Sequence, residues 1–246
     1  MLIKELQKIF VLIIICLLLT GLKIACGQTP AFQIEFVNTN NGNALLLDTA
    51  IYKNSLGQTY SVSRFRYYIN DIQLISADGT QQAVSGYYLI DEEVAASKII
   101  TVAATETGSF TSIKFMLGVD SLHNCSGIQS GALDPAKGMF WAWNTGYIFL
   151  KLEGKSPSSQ LTGNLIEYHV RGYREPHNAI RNIHLNLPQT ITLKPGKTQR
   201  IKIIADVNAV LSEPVAINFK EIPSVTDFKN AVMMADNYRD MFSIQP

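Results

Sequence analysis

One stretch of forty residues, 115–154, holds His123, Cys125, Met139, Trp141 and Trp143. Imidazole and thiolate suit copper and zinc, and thioether sulfur favours Cu(I). His123 and Cys125 are two residues apart, which is not a zinc-finger spacing, and no CxxC or HxxxH pair completes four ligands. Soft donors beside indole rings point to copper above other ions. Met139 adjoins Phe140 and Trp141 and equally suits core filling, as do Met233 and Met234. On an extended chain Trp141 and Trp143 face the same way, as half a core or as the wall of a site. Elsewhere His169 and His184 each stand between apolar neighbours, the usual setting of a half-buried, hydrogen-bonded strand histidine. His177 follows Pro176 and is expected on an exposed loop.

Enzymatic signatures are missing. The chain has no Gly-x-Ser-x-Gly elbow, no Gly-rich phosphate loop and no His-Glu-x-x-His zinc helix. Cys125 and a histidine could meet in space, but a thiol hydrolase needs its base oriented by a third group, which no pattern here supplies. A net charge of +1 without a basic run argues against nucleic acid as a partner.

The 246 residues, 47% hydrophobic, suffice for one well-buried core. Charged residues make up 17%, below the roughly 25% of an average domain, which suits an all-β protein outside the cytoplasm. Lys4 and Lys8 precede an apolar run of eleven residues, 9–19, which is short for a membrane span. Residues 1–27 therefore read as a secretory signal peptide and 28–246 as a single domain. Cleavage before Gln28 follows the small residues Ala25-Cys26-Gly27. The alternative is a lipoprotein signal ending at Cys26, the one route to membrane attachment. Lys23 stands where that motif has an aliphatic residue, so cleavage near Gln28 is preferred. Of three cysteines only Cys125 then remains as a thiol, so no internal disulfide is available and burial must hold the fold.

The elements that would position these residues are strands. Apolar alternation or β-branched and aromatic runs mark 31–37, 60–76, 86–91, 99–102, 110–118, 147–153 and 166–171. Further strands are expected at 183–187, 190–193 and 199–207. Turns are expected at 38–43, Gly57-Gln58, Asp78-Gly79, Leu187-Pro188 and Lys194-Pro195-Gly196, and 154–159 reads as one exposed loop. The fold class is all-β, a β-sandwich or Greek-key-like barrel. A short C-terminal helix follows, with Ser224 and Asp227 as a capping box and Phe228, Val232 and Ala235 on its inner face. The polar, Gly-rich segment between 118 and 147 is long for a loop, and loops of that length are often functional.

Several motifs together resemble the methanobactin-associated copper-binding family, MbnP. They are Phe65-Arg66-Tyr67-Tyr68-Ile69-Asn70-Asp71, Gly118-Val119, Gly131-Ala132-Leu133-Asp134-Pro135, Met139-Phe140-Trp141-Ala142-Trp143, Glu167-Tyr168-His169-Val170-Arg171-Gly172-Tyr173 and Met234-Ala235-Asp236-Asn237-Tyr238. The resemblance implies a secreted or periplasmic β-rich domain that binds copper through histidines. It also implies a tryptophan oxidised to kynurenine by a di-haem peroxidase-like partner, here Trp141 or Trp143. His169 matches the family's strand histidine. Where many relatives carry Asn-His, this chain has Asn124-Cys125, so the expected metal set is His123, Cys125 and His169 with Met139 nearby. The leading expectation is a non-enzymatic copper-binding protein. The alternatives are an interaction or structural module that kept the fold without the metal, and a redox enzyme.

Overall fold

The computed structural model describes residues 31–103, 108–141, 146–194 and 197–245. The expected leader, Cys26 included, lies outside them, as do Trp143 and the Pro195-Gly196 turn. Two sheets packed face to face make an all-β sandwich. The larger runs from Arg181–Thr192 through Ser109–Leu117, Thr59–Ser76, Leu150–Lys155 and Leu165–Val170 to Ser224–Val225. Its axis is the eighteen-residue strand Thr59–Ser76, rich in the β-branched and aromatic residues that suit a pleated surface. The smaller sheet is built on a parallel pair from opposite ends of the chain. Ala31–Asn40 runs beside Thr198–Asp206, with Phe36 opposite Ile203, and is flanked by Ile99–Ala103. Phe242–Ile244, at the C-terminus, closes the other edge.

Period-two alternation decides which side chains meet between the sheets. Phe32, Ile34 and Phe36 point inward and are fully buried. Phe36 meets Tyr67 and Phe115 edge-on, with centroids 6.1 and 5.9 Å apart, and Phe242 packs on Phe115 at 5.0 Å. Each fully buried aromatic of this kind contributes roughly 1.5–3 kcal/mol. Asn38 continues the inward row and is satisfied by the Tyr67 hydroxyl at 2.9 Å and by Glu92 at 2.9 Å. That bonding keeps Asn38–Asn40 within the strand, so the turn expected from 38 narrows to Asn41 and Gly42.

On the central strand the alternation breaks. Tyr67, Tyr68, Ile69 and Asn70 are all buried, so both faces are covered there. The outer cover is formed by residues 118–141 and 146–149. The strand pattern alone predicts only one buried face.

Several expectations need correction. Residues 181–192 form one strand through Pro188, with a register shift between Asn186 and Ile191 in place of a turn. Its far neighbour is solvent there, and an edge strand tolerates a proline. The 154–159 segment is not an exposed loop, because Gly154, Ser156 and Ser159 are buried. The Ser156 hydroxyl donates to the Thr59 carbonyl at 2.6 Å, tying the segment to the central strand. The C-terminal helix Phe228–Arg239 is capped by Asp227, whose carboxylate accepts from Asn230 N at 2.9 Å, while Ser224 belongs to a short strand. Its buried face is Ala231, Met234, Ala235 and Tyr238, and Phe228 lies outside that face, half in solvent.

Gly154 sits at a register shift between Leu150–Lys155 and the central strand. A Cβ there would lie 1.9 Å from the Ser61 carbonyl oxygen, a backbone atom that cannot swing aside. Gly154→Ala should therefore destabilise the protein by about 2–3 kcal/mol, read as a lowered urea midpoint with an unchanged slope.

Candidate functional site

The segment between Ser109–Leu117 and Leu150–Lys155 crosses the outer face of the larger sheet, and it carries regular structure of its own. Asp120 caps a short helix, Ser121–Cys125, by accepting from His123 N at 2.9 Å. The turn Pro135–Lys137 is capped by Asp134 and ends at Gly138 in the left-handed conformation. Phe140–Trp141 and Gly146–Tyr147 then pair antiparallel. Asn124 holds the two ends of the segment together. Its buried amide donates to the carbonyls of Val119 (2.5 Å) and Asp120 (2.9 Å), and its oxygen accepts from Tyr147 N at 3.0 Å. Hydroxyls of Tyr68 and Tyr147 reach the carbonyls of Ala132 and Leu133, and Lys151 Nζ reaches that of Gly138 at 2.5 Å.

The candidate ligands have separate surroundings. His123 Nδ1 lies 2.8 Å from Asp120 Oδ2 and 3.1 Å from the Tyr87 hydroxyl, and the Tyr87 hydroxyl also donates to Asp120. Burial alone would raise the Asp120 carboxyl, but the bonds from Tyr87 and His123 outweigh it and hold the group below its usual range. Cys125 is exposed, with its Sγ 3.5 Å from the Tyr173 hydroxyl and 3.4 Å from an Arg174 guanidinium nitrogen. Met139 is fully buried in the core. His177 is exposed as expected, and His184 is exposed rather than half-buried. Trp143 lies outside the described residues.

His169 is half-buried on the outer face of Leu165–Val170. Its Nε2 is 2.7 Å from Glu153 Oε1, and its ring lies against Trp141 with centroids 5.8 Å apart at 60°. Glu153 also holds Arg64 at 2.7 Å. The hydrogen bond with His169 is the main reason its carboxyl falls to about 2, with the charges of His169, Lys151 and Arg64 adding to it against burial.

One residue just past the strand and one in the loop that follows extend this row. Arg171 follows His169 by two positions and is buried, its guanidinium 4.8 Å from the Trp141 ring centroid and 4.2 Å from that of Phe228. His177 stacks on Phe228 at 5.3 Å and 17°. Glu153 and Arg171 went unnoticed in the sequence. The strand period could have found Arg171 from His169, whereas Glu153 becomes a neighbour only through the pairing of Leu150–Lys155 with Leu165–Val170.

A histidine whose one ring nitrogen is held by a carboxylate is the usual arrangement of a metal-binding imidazole, and His169 and His123 both have it. Donor chemistry therefore fits copper at each residue singly. Among the described residues, however, no three His, Cys, Asp or Glu side chains gather as a metal-ligating group. Cys125 meets Tyr173 and Arg174, His123 meets Asp120 and Tyr87, and His169 meets Glu153 and Trp141.

Fold and site define a β-sandwich domain whose larger sheet carries an ordered, aromatic-rich cover beside a carboxylate-held histidine. The chain belongs to the MbnP family, whose model matches residues 29–234. The solved structure of MbnP from Methylosinus trichosporium is similar to it, at 15% identity and a TM-score of 0.46, over 74% of this chain and 76% of that one. No curated protein matches the sequence.

The Glu153–His169 pair makes a pH prediction. Glu153 has a folded-state value of about 2 against an ordinary 4.5, so its contribution is complete above about pH 4.5 and fades as pH falls through 2. The full shift would correspond to about 3 kcal/mol, and partial exposure reduces this to about 1–2 kcal/mol. Glu153→Gln should lower stability by that amount at pH 5, with the gap to the parent protein closing towards pH 2 in urea titrations.

Proposed function

We propose that this protein is an extracytoplasmic copper-binding protein that handles copper as cargo and catalyses no reaction on it. The observation that carries the reading is His169, an imidazole held at Nε2 by Glu153 and lying against Trp141, in a chain of the MbnP family. With Nε2 engaged, Nδ1 is the nitrogen left for a metal, and the carboxylate fixes the orientation of the ring. His123 offers a second imidazole in the same style through Asp120, and Cys125 offers a soft sulfur donor beside Arg174. Met139 would contribute from the buried side. Trp141 or Trp143 is the indole that a di-haem peroxidase-like partner would convert to kynurenine.

A second reading is a β-sandwich interaction module without metal. Met139 lies wholly within the core and Trp141 packs against it, which is how core-filling residues behave.

Copper stoichiometry and intact mass of the mature protein from its native host separate the two. The copper reading expects about one tightly held copper per chain, with His169→Ala weakening it at least about tenfold, a loss of roughly 1.4 kcal/mol. A mass change matching tryptophan-to-kynurenine conversion would add the oxidised indole. Metal-free protein that takes up no copper on reconstitution would leave the interaction module.

A further inference from the structure

Arg171 is the odd arginine of this fold. Arg64, Arg66 and Arg181 each hold a carboxylate, from Glu153, Asp91 and Asp236 respectively. Arg171 is more buried than any of them, at 8% exposure, yet no carboxylate among the described residues pairs with it. Its Nε is buried without a hydrogen-bond partner. Burial also holds the guanidinium below its ordinary value, the mark of a cation stripped of water without compensation.

Geometry leaves one way to satisfy it. Trp141 and Phe228 lie against the guanidinium, so its remaining polar access is the in-plane N–H groups. Arg171 lines an open cavity of about 260 Å³ with Phe228, Tyr147, Tyr173, Arg174 and His177. The cavity's one carboxylate, Glu175, is exposed and forms no ion pair with Arg171 among the described residues. Tyr147, Tyr173 and Phe228 supply apolar wall, and Arg174 adds positive charge beside Cys125. A guanidinium presented edge-on matches a planar carboxylate through two parallel hydrogen bonds, a fit that a tetrahedral oxyanion shares less well. At about 260 Å³ the cavity lies just below the usual volume of drug-sized sites and suits a smaller ligand, held by an apolar wall and a fixed polar group.

We propose that this cavity binds a small organic carboxylate, its carboxyl paired with Arg171 and its apolar or aromatic body against Phe228 and Tyr173. The site is separate from the proposed copper ligand His169, whose polar partner is Glu153.

Calorimetric titration of the mature protein with benzoate, benzamide and inorganic phosphate tests this, with and without bound copper. Benzoate should bind saturably at one per chain, and benzamide, which keeps the ring and loses the charge, at least about tenfold more weakly. Arg171→Gln should weaken benzoate by a similar factor. Should that variant fail to fold, Arg171→Lys, which keeps the charge and loses the planar fork, should still bind benzoate more weakly than the parent. Phe228→Ala should weaken benzoate while sparing the fold, since Phe228 lies outside the helix's buried face. The proposal is overturned if benzoate does not saturate by about 10 mM, a concentration near the limit of specific affinity. It also fails if benzamide binds as well as benzoate, which would make the cavity merely apolar. Phosphate binding as tightly as benzoate and displacing it would make the site a general oxyanion trap.

Discussion

The architecture depends on one constraint, that the strand Thr59–Ser76 is buried on both faces at Tyr67–Asn70. A strand in a sandwich normally sends alternate residues to solvent. Here Tyr68 and Asn70 carry polar groups on the outward face, and a cover that buried them without partners would cost several kcal/mol. The 118–149 segment supplies those partners from its backbone. Gly118 accepts from Asn70 Nδ2 at 2.7 Å, and Ala132 accepts from the Tyr68 hydroxyl at 3.0 Å. The cover is therefore bonded in place, and Asn124, which bridges its two ends, does for it what a disulfide would do in a cysteine-richer protein.

A bonded cover has an edge, and the chemistry collects there. The side chains of Leu150–Lys155 and Leu165–Val170 that emerge beside Trp141 are polar, Lys151, Glu153 and His169, and Arg171 follows just past the strand. Glu153 is the hub of this row, since it holds both Arg64 and His169 and stands near Lys151. A carboxylate with three such partners is held well below its usual range, and it orients its histidine as a carboxylate behind a metal-binding imidazole does. Arg171 lies beyond the reach of that hub. Among the described residues its charge is answered by the ring faces of Trp141 and Phe228, so a saturated and an unsaturated polar side chain stand two positions apart.

Much of the fold was legible in the sequence, because period-two patterning survives wherever one face is solvated. The central strand, the Ser109–Leu117 strand and the C-terminal helix fell close to their expected bounds for that reason. What failed had tertiary causes. Pro188 lies on an edge strand, where a missing N–H costs nothing, so a turn residue sits inside a strand. Phe228 was assigned to the core by helical spacing, but it is recruited sideways by Arg171 and His177, residues distant in sequence. The site was legible only in part. His169 and Trp141 could be singled out by type, and they meet. His123 and Cys125 adjoin in sequence, yet a helical turn sends them to different partners, which a spacing argument could not foresee.

Trp141 joins the two halves of this edge. His169 lies on the strand Leu165–Val170 and Arg171 just past its end, and the Trp141 ring contacts both. An indole spans that distance, whereas a phenyl ring in its place would lose one neighbour or the other. The ring therefore lies between a histidine fixed by Glu153 and a guanidinium fixed by Phe228, and each of those is fixed by an element other than the cover. Trp141 is positioned from the sheet side and the helix side at once.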